Sequence, residues 1–193
     1  HIDLEERREE FAKKVRRKAT ALQDIREIVE QKLAEMLKRN PQRMDYYKRY
    51  QEIVADYNRE KDRATIEETF AKLIELVESL DEEQRRAAEE NLDEDELALF
   101  DILKKEKLGK AEREKVKQAS RELLTALRDR LRYLERWTEK EQTQAEVETF
   151  ILDNLYMHLP SPPFSDDDKE KAAKMVYQHV WQQSVNATYS WIS

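Results

Sequence analysis

Cysteine is absent from this chain, so no disulfide and no thiolate metal site can form. Glycine occurs once, at Gly109. Tight sheet turns and phosphate-cradling loops need glycine for positive φ or close backbone approach, so a sheet protein or a nucleotide-binding fold is excluded on this count. Apart from Pro41, proline is confined to Leu159–Phe164 (LPSPPF), which cannot be helical because its prolines remove donors and fix φ. No apolar run approaches the roughly 18 residues of a membrane span, and no signal-peptide core opens the chain. The reading is a soluble, cytoplasmic protein with no membrane partner. His1 in place of an initiator Met reads as a cut end or the remnant of a tag.

What fills the chain instead is charge. Acidic and basic side chains make up 41% of its 193 residues, against an average of about 25%. The 39% apolar fraction falls into helical periods, which argues for a packed core. A chain this long can bury roughly 70% of its unfolded surface. The expected fold is all-α: an elongated bundle of about six to eight helices without a sheet.

The apolar periods place the helices. Phe11, Val15, Leu22, Ile25, Val29, Leu33 and Leu37 predict one amphipathic helix over about Leu4–Arg39, ended by Asn40-Pro41. A second starts near Gln42 with Met44, Tyr47, Tyr50, Val54 and Tyr57 on one side. Residues 58–64 are almost wholly polar and read either as an exposed helical turn or as a break. Ile66 to Leu80 resume the stripe. Asp81–Gln84 and Asp93–Glu96 are capping-box patterns that predict shorter helices over about 82–91 and 94–107. Gly109 is expected in the left-handed conformation that ends a helix. Lys110–Arg136 reads as one long helix. Thr138–Glu141 should cap the next, to about Met157, and Ser165 the last, with Asp166, Asp167 and Asp168 in its first turn.

Charge is unevenly placed. Residues 65–103 hold 3 basic and 14 acidic side chains; residues 104–140 hold 13 basic and 7 acidic. Two readings stand: the runs pack against each other within one bundle, or the basic segment meets DNA. In the second, Lys104, Lys105, Lys107, Lys110, Arg113, Lys115 and Lys117 are the candidate phosphate contacts. The net charge of −7 argues against a general polyanion binder.

No catalytic, cofactor-binding or metal-ligating constellation is visible. Gly109-Lys110 is followed by Ala111, and Lys104 stands where a P-loop needs its first glycine. His158 and His179 lack ligand spacing, so His158 reads as a packed or rim side chain. Asp93–Asp101 fails as a calcium loop because Leu97 or Ala98 occupies the obligatory glycine position. The remaining signal is aromatic. Tyr156, Phe164, Tyr177 and Trp181 flank the elbow at Pro162 and Pro163 and can close it as a hydrophobic knot. Such a knot either docks a partner or pins the last helix to its bundle.

Three strings are more specific than their composition: LERWTEKEQTQAEVETFILDNLYMHLPSPPFSDDDKEKAAKMVYQHVWQQ (134–183), EEQRRAAEENLDEDELALFDIL (82–103) and QRMDYYKRYQEIVADYNREKD (42–62). In this order they resemble the C-terminal helical domain of the restriction (R) subunit of type I restriction–modification enzymes. The resemblance covers most of 42–183. It implies one domain of a longer ATP-dependent DNA translocase and site-specific endonuclease. Residues 1–40 would then be an N-terminal helix, serving as a link from the upstream motor, 41–184 the C-terminal domain, and 185–193 a flexible tail. It also implies partners: the methyltransferase and specificity subunits, the rest of the same R subunit and duplex DNA. ATP and Mg²⁺ would bind elsewhere in the parent subunit, leaving this fragment without cofactor or catalysis. The family's nuclease carries an acid-x-Lys triplet on a sheet; Glu30-Gln31-Lys32 and Asp167-Asp168-Lys169 match its letters but fall in helical segments. The role implied is docking of the motor–nuclease onto the methyltransferase–specificity core. The alternatives are a module contacting duplex DNA during translocation and a self-associating helical scaffold. Against the scaffold, the apolar stripes hold no strict heptad.

Overall fold

A computed structural model describes residues 2–60 and 62–186. Among them are seven α-helices and no strand: α1 Ile2–Arg39, α2 Met44–Arg59, α3 Arg63–Glu89, α4 Glu94–Leu103, α5 Lys110–Leu131, α6 Glu141–His158 and α7 Asp166–Asn186. Short 3₁₀ turns at Pro41–Arg43 and Trp137–Glu139 join α1 to α2 and α5 to α6. The expected all-α class therefore holds. The chain divides into two compact units, His1–Leu37 with Arg43–Arg86, and Lys38–Gln42 with Ala87–Ser193.

In the first unit the stripes of three helices meet. Leu22, Ile25, Val29, Leu33 and Met36 of α1 bury against Tyr50 and Ile53 of α2 and Leu73, Leu76 and Leu80 of α3. Three ion pairs and one hydrogen bond give the directions. Lys18–Glu67 and Lys32–Asp81 share one sequence offset of 49, so α1 and α3 run parallel. Arg43–Glu83 and Arg49–Ser79 run the other way, so α2 is antiparallel to α3. The same offset sets Arg63, the first residue of α3, beside Lys14. Phe11, counted in the apolar stripe, therefore lies beyond the start of α3 and is 50% exposed. Between α2 and α3 the polar stretch proves to be a break after Arg59.

The predicted helix start at Asp81–Gln84 does not occur, since α3 runs unbroken to Glu89. Its letters are used sideways. Asp81 pairs with Lys32, and Glu83 falls three residues after Leu80, on the buried face. There it accepts from Arg43 Nε at 3.0 Å, from Arg86 Nη2 at 2.8 Å and from the Tyr46 hydroxyl at 3.3 Å. Burial alone would push this carboxyl up. The two guanidiniums outweigh it and hold Glu83 below its ordinary value.

The second unit is built on α4, seven of whose ten residues are buried. The predicted capping box is present: Asp93 accepts from the Glu96 amide at 2.7 Å, and Glu96 accepts from the Asp93 amide at 2.9 Å. Around α4 and its neighbours pack Val116, Leu123, Leu124 and Leu127 of α5, Val147, Ile151 and Leu155 of α6, and Val176 and Val180 of α7. The end of α1 belongs to this unit too. Gln183 donates to the Lys38 carbonyl at 3.0 Å, and Asn40 donates to Asp101 at 2.8 Å.

Several predicted boundaries move, each for a local reason. Helix α4 stops at Leu103, not 107, because the next residues are polar and Lys105 turns away to reach Asp168. Gly109 is not a left-handed terminator. At φ −67° it is the N-cap of α5, and its carbonyl accepts from the Arg113 amide at 2.9 Å. Helix α5 ends at Leu131, because Trp137 is drawn into the core and the chain must turn, with Arg136 at φ 51°. Thr138 does not cap α6. The N-cap is Lys140, while the Thr143 hydroxyl donates to the Trp137 carbonyl at 2.7 Å. Ser165 does cap α7, accepting from the Asp168 amide at 3.1 Å. Val185 and Asn186, counted in the expected tail, close α7. The rest of that tail, including Trp191, lies outside the described residues.

Two stability effects follow. Glu83→Gln leaves two guanidiniums at a buried site without their carboxylate and should cost about 3 kcal/mol in urea unfolding. Glu67→Gln breaks the exposed Lys18 pair and should cost less than about 1 kcal/mol. His179 is buried on α7, and burial depresses it from 6.5 to about 4. The unfolded chain then takes up the proton first, so the contribution of His179 is fully present above pH 6.5 and is lost as pH falls through about 4. That amounts to about 3 kcal/mol. The difference in urea stability between the wild type and His179→Leu should change by that amount across this window.

Candidate functional site

The sequence points to the elbow between α6 and α7, and the structure shows how it is held. The Phe164 amide donates to the Pro160 carbonyl at 3.0 Å, and the Ser161 hydroxyl to the Phe164 carbonyl at 2.9 Å, so the turn closes on itself. Two lysines brace it. Lys105 donates to the Pro163 carbonyl at 2.9 Å, pairs with Asp168 and lies 5.0 Å from the centre of the Phe164 ring. Lys169, itself buried, donates to Ser161 at 2.8 Å and lies 5.5 Å from the Tyr156 ring. Hydrogen bonds from Lys105 and from the Ser165 cap hold the Asp168 carboxyl down at about 2.

The six elbow candidates separate. Phe164 is buried and belongs to the core. Trp181 and Tyr177 are half-buried against that core, Tyr177 meeting Trp137 edge-on at 5.9 Å between ring centres. Pro163 is half-buried and Pro162 exposed. Tyr156 is exposed, its hydroxyl 3.3 Å from Glu170. The knot thus pins α7 with Phe164 while leaving Tyr156, Pro162 and one edge of Tyr177 at the surface.

Beside the elbow, α6 and α7 part into an open groove of about 550 Å³. Leu152, Ala173 and Tyr177 form its floor; Glu148, Glu170 and Lys174 stand on its rim. The small side chain of Ala173 opposite Leu152 keeps it concave. Sequence reasoning found Tyr177 but missed Glu148, Leu152 and Glu170. The signal was available, since 148, 152 and 156 share one helical face, as do 170, 173, 174 and 177.

Four of the seven basic candidates are engaged within the unit. Lys104 pairs with Asp101 at 3.0 Å, Lys105 with Asp168, Arg113 with Glu90, and buried Lys117 with Glu90 at 2.6 Å and Glu114 at 3.1 Å. Lys107, Lys110 and Lys115 are exposed on the segment leading into and along α5. Glu90 is pushed up by burial but held below its ordinary value by Lys117 and Arg113. The acidic run therefore meets the basic one at Asp101, Glu90 and Asp95, which pair with Lys104, with Arg113 and Lys117, and with Arg128.

Among the described residues no group of three or more His, Asp or Glu side chains could hold a metal ion. His158 sits 2.7 Å from Glu122 across α5 and α6, as a rim histidine. The surroundings of Gly109 do not fit a nucleotide phosphate, because a Glu112 carboxylate oxygen lies 4.0 Å from where a β-carbon would stand. Both acid-x-Lys triplets lie on helices, Glu30–Lys32 within α1 and Asp167–Lys169 in the first turn of α7. No helix among the described residues is long and apolar enough to cross a membrane.

The family model for the C-terminal part of "type I restriction enzyme HindI endonuclease subunit-like" proteins matches residues 3–185. The chain belongs to this family. The type I restriction match takes in α1 as well as the three strings from which the likeness is read. No curated protein and no solved structure matches the chain.

The elbow of this restriction-subunit domain yields a direct test. Lys105→Met should raise the Asp168 carboxyl from about 2 toward its ordinary 3.8, as followed by a carboxyl-carbon NMR titration. The folded value lies below the unfolded one. The contribution of Asp168 to stability is thus present above about pH 4 and is lost as pH falls through about 2.

Proposed function

We propose that this chain is the assembly module of a type I restriction endonuclease subunit, docking the ATP-dependent translocase–nuclease onto its methyltransferase–specificity core without itself doing chemistry. The observation that carries the reading is the surface formed by α6, the elbow and α7. It combines exposed Tyr156 of α6 and half-covered Tyr177 of α7 with Pro162 on a turn fixed from within by Lys105 and Lys169. Preorganised aromatic surface loses little entropy on binding, and aromatic anchors dominate interface energies. Family membership supports this choice of partner, since the resemblance to a type I endonuclease subunit implies modification and specificity subunits beside it.

Contact with duplex DNA is the second reading, favoured by exposed Lys107, Lys110 and Lys115. Three free lysines neutralise at most three phosphates, so the dependence of log K on log[salt] should have a slope of about −3 rather than the roughly −6 expected of seven.

The deciding experiment is co-purification with the co-expressed methyltransferase and specificity subunits of the same system. Salt-tolerant co-elution, weakened by Tyr156→Ala with Tyr177→Ala, is the expected result. Absence of co-elution with DNA retained at low salt would overturn docking in favour of the DNA reading.

A further inference from the structure

The docking reading leaves open what chemistry the partner presents, and the α6/α7 groove answers it. We infer that the groove receives a helix of the partner that offers an apolar side chain flanked by lysine or arginine. This deepens the docking reading and rests on it.

The floor is apolar, with Leu152, Ala173 and Tyr177 from two antiparallel helices, and its width follows from the small residue at 173. A shallow trough between two helices suits the ridge of a third, which packs its side chains into such grooves. The rim carries the sign. Glu148 and Glu170 stand on opposite helices and have no ion-pair partner among the described residues, Glu170 taking only the Tyr156 hydroxyl. One lysine, Lys174, faces them. The Tyr177 phenol is raised by burial and then by Glu148; the Tyr156 phenol is raised by burial and then by Glu170 and Asp166.

At other helix contacts of this unit Glu90 is matched by Arg113 and Lys117 and Asp95 by Arg128, and Glu122 is met by His158. Two unmatched carboxylates around an apolar floor are complementary to a basic, amphipathic segment. The same rim disfavours other occupants. A nucleic acid backbone meets like charge, and a second copy of this groove would bring carboxylate against carboxylate.

The test uses the full chain and the double variant Glu148→Lys with Glu170→Lys, both exposed positions. The probes are a Leu/Lys amphipathic helical peptide of about 18 residues and its Leu/Glu counterpart, long enough to form a helix on the surface. Binding is read from fluorescence anisotropy of a dye placed on the peptide. Wild type should prefer the Leu/Lys peptide by about tenfold or more, and the variant should reverse the preference. Equal affinity for both peptides, or a preference unchanged by the variant, would overturn the inference.

The methyltransferase–specificity core is then the second readout. Its affinity should fall about tenfold or more with the variant. Equal binding of the core to both proteins sinks the groove inference and leaves docking standing. Binding of the core to neither, with the peptides still discriminated, sinks docking and leaves the groove's preference intact.

Discussion

Helix α4 has almost no solvated face, and a helix that buries nearly its whole circumference obliges its neighbours to wrap it. Leu97, Ala98, Leu99 and Phe100 point in four different directions, and each is covered. The carboxylate of Asp95 is carried inside with them. Burial pushes it up despite Arg39 and Arg128, so those two arginines must stay where they are. With α5 and α7 committed to α4, α6 packs between them on the far side, and the α6/α7 seam is left open to solvent.

The charge pattern has the same origin. A chain with 79 charged side chains and narrow apolar stripes cannot bring its helices together without placing many charges at the contacts. Here they are matched across helices, at Glu90, Asp95 and Asp168 in one unit and at Glu83 in the other. The buried clusters gain little over an apolar core but are costly to break, which makes them locks on geometry more than sources of stability. Among the described residues, charges of both signs stay outside these pairs: Lys107, Lys110 and Lys115 with Glu106 and Glu112 between them, and Glu148 and Glu170 with Lys174 beside them.

Much of the helix plan was legible because it rests on spacing. The stripe from Leu22 to Met36, the stop at Asn40-Pro41, the Asp93–Glu96 box and the Ser165 cap all depend on residues within one or two turns of each other. The misread boundaries share the opposite property. Asp81–Gln84 looks like a helix start until Lys32 and Arg43 claim its carboxylates from other helices. Lys110–Arg136 looks continuous until Trp137 is taken into the core. At the site, the aromatic letters were visible, whereas the roles of Lys105 and Lys169 as internal braces were not, since their partners lie 58 and 8 residues away.

By itself, then, the sequence determined the class and the family, and bounded the helices to about six to eight. One glycine, no cysteine and a helical apolar period leave few other folds, and strings at 42–62, 82–103 and 134–183 identify a type I restriction subunit. Tertiary structure alone decided which charges are spent and which remain. Whether a lysine faces water or a glutamate depends on the register between helices far apart in the chain, as between Lys18 and Glu67 or Lys105 and Asp168. Local spacing carries no record of that register.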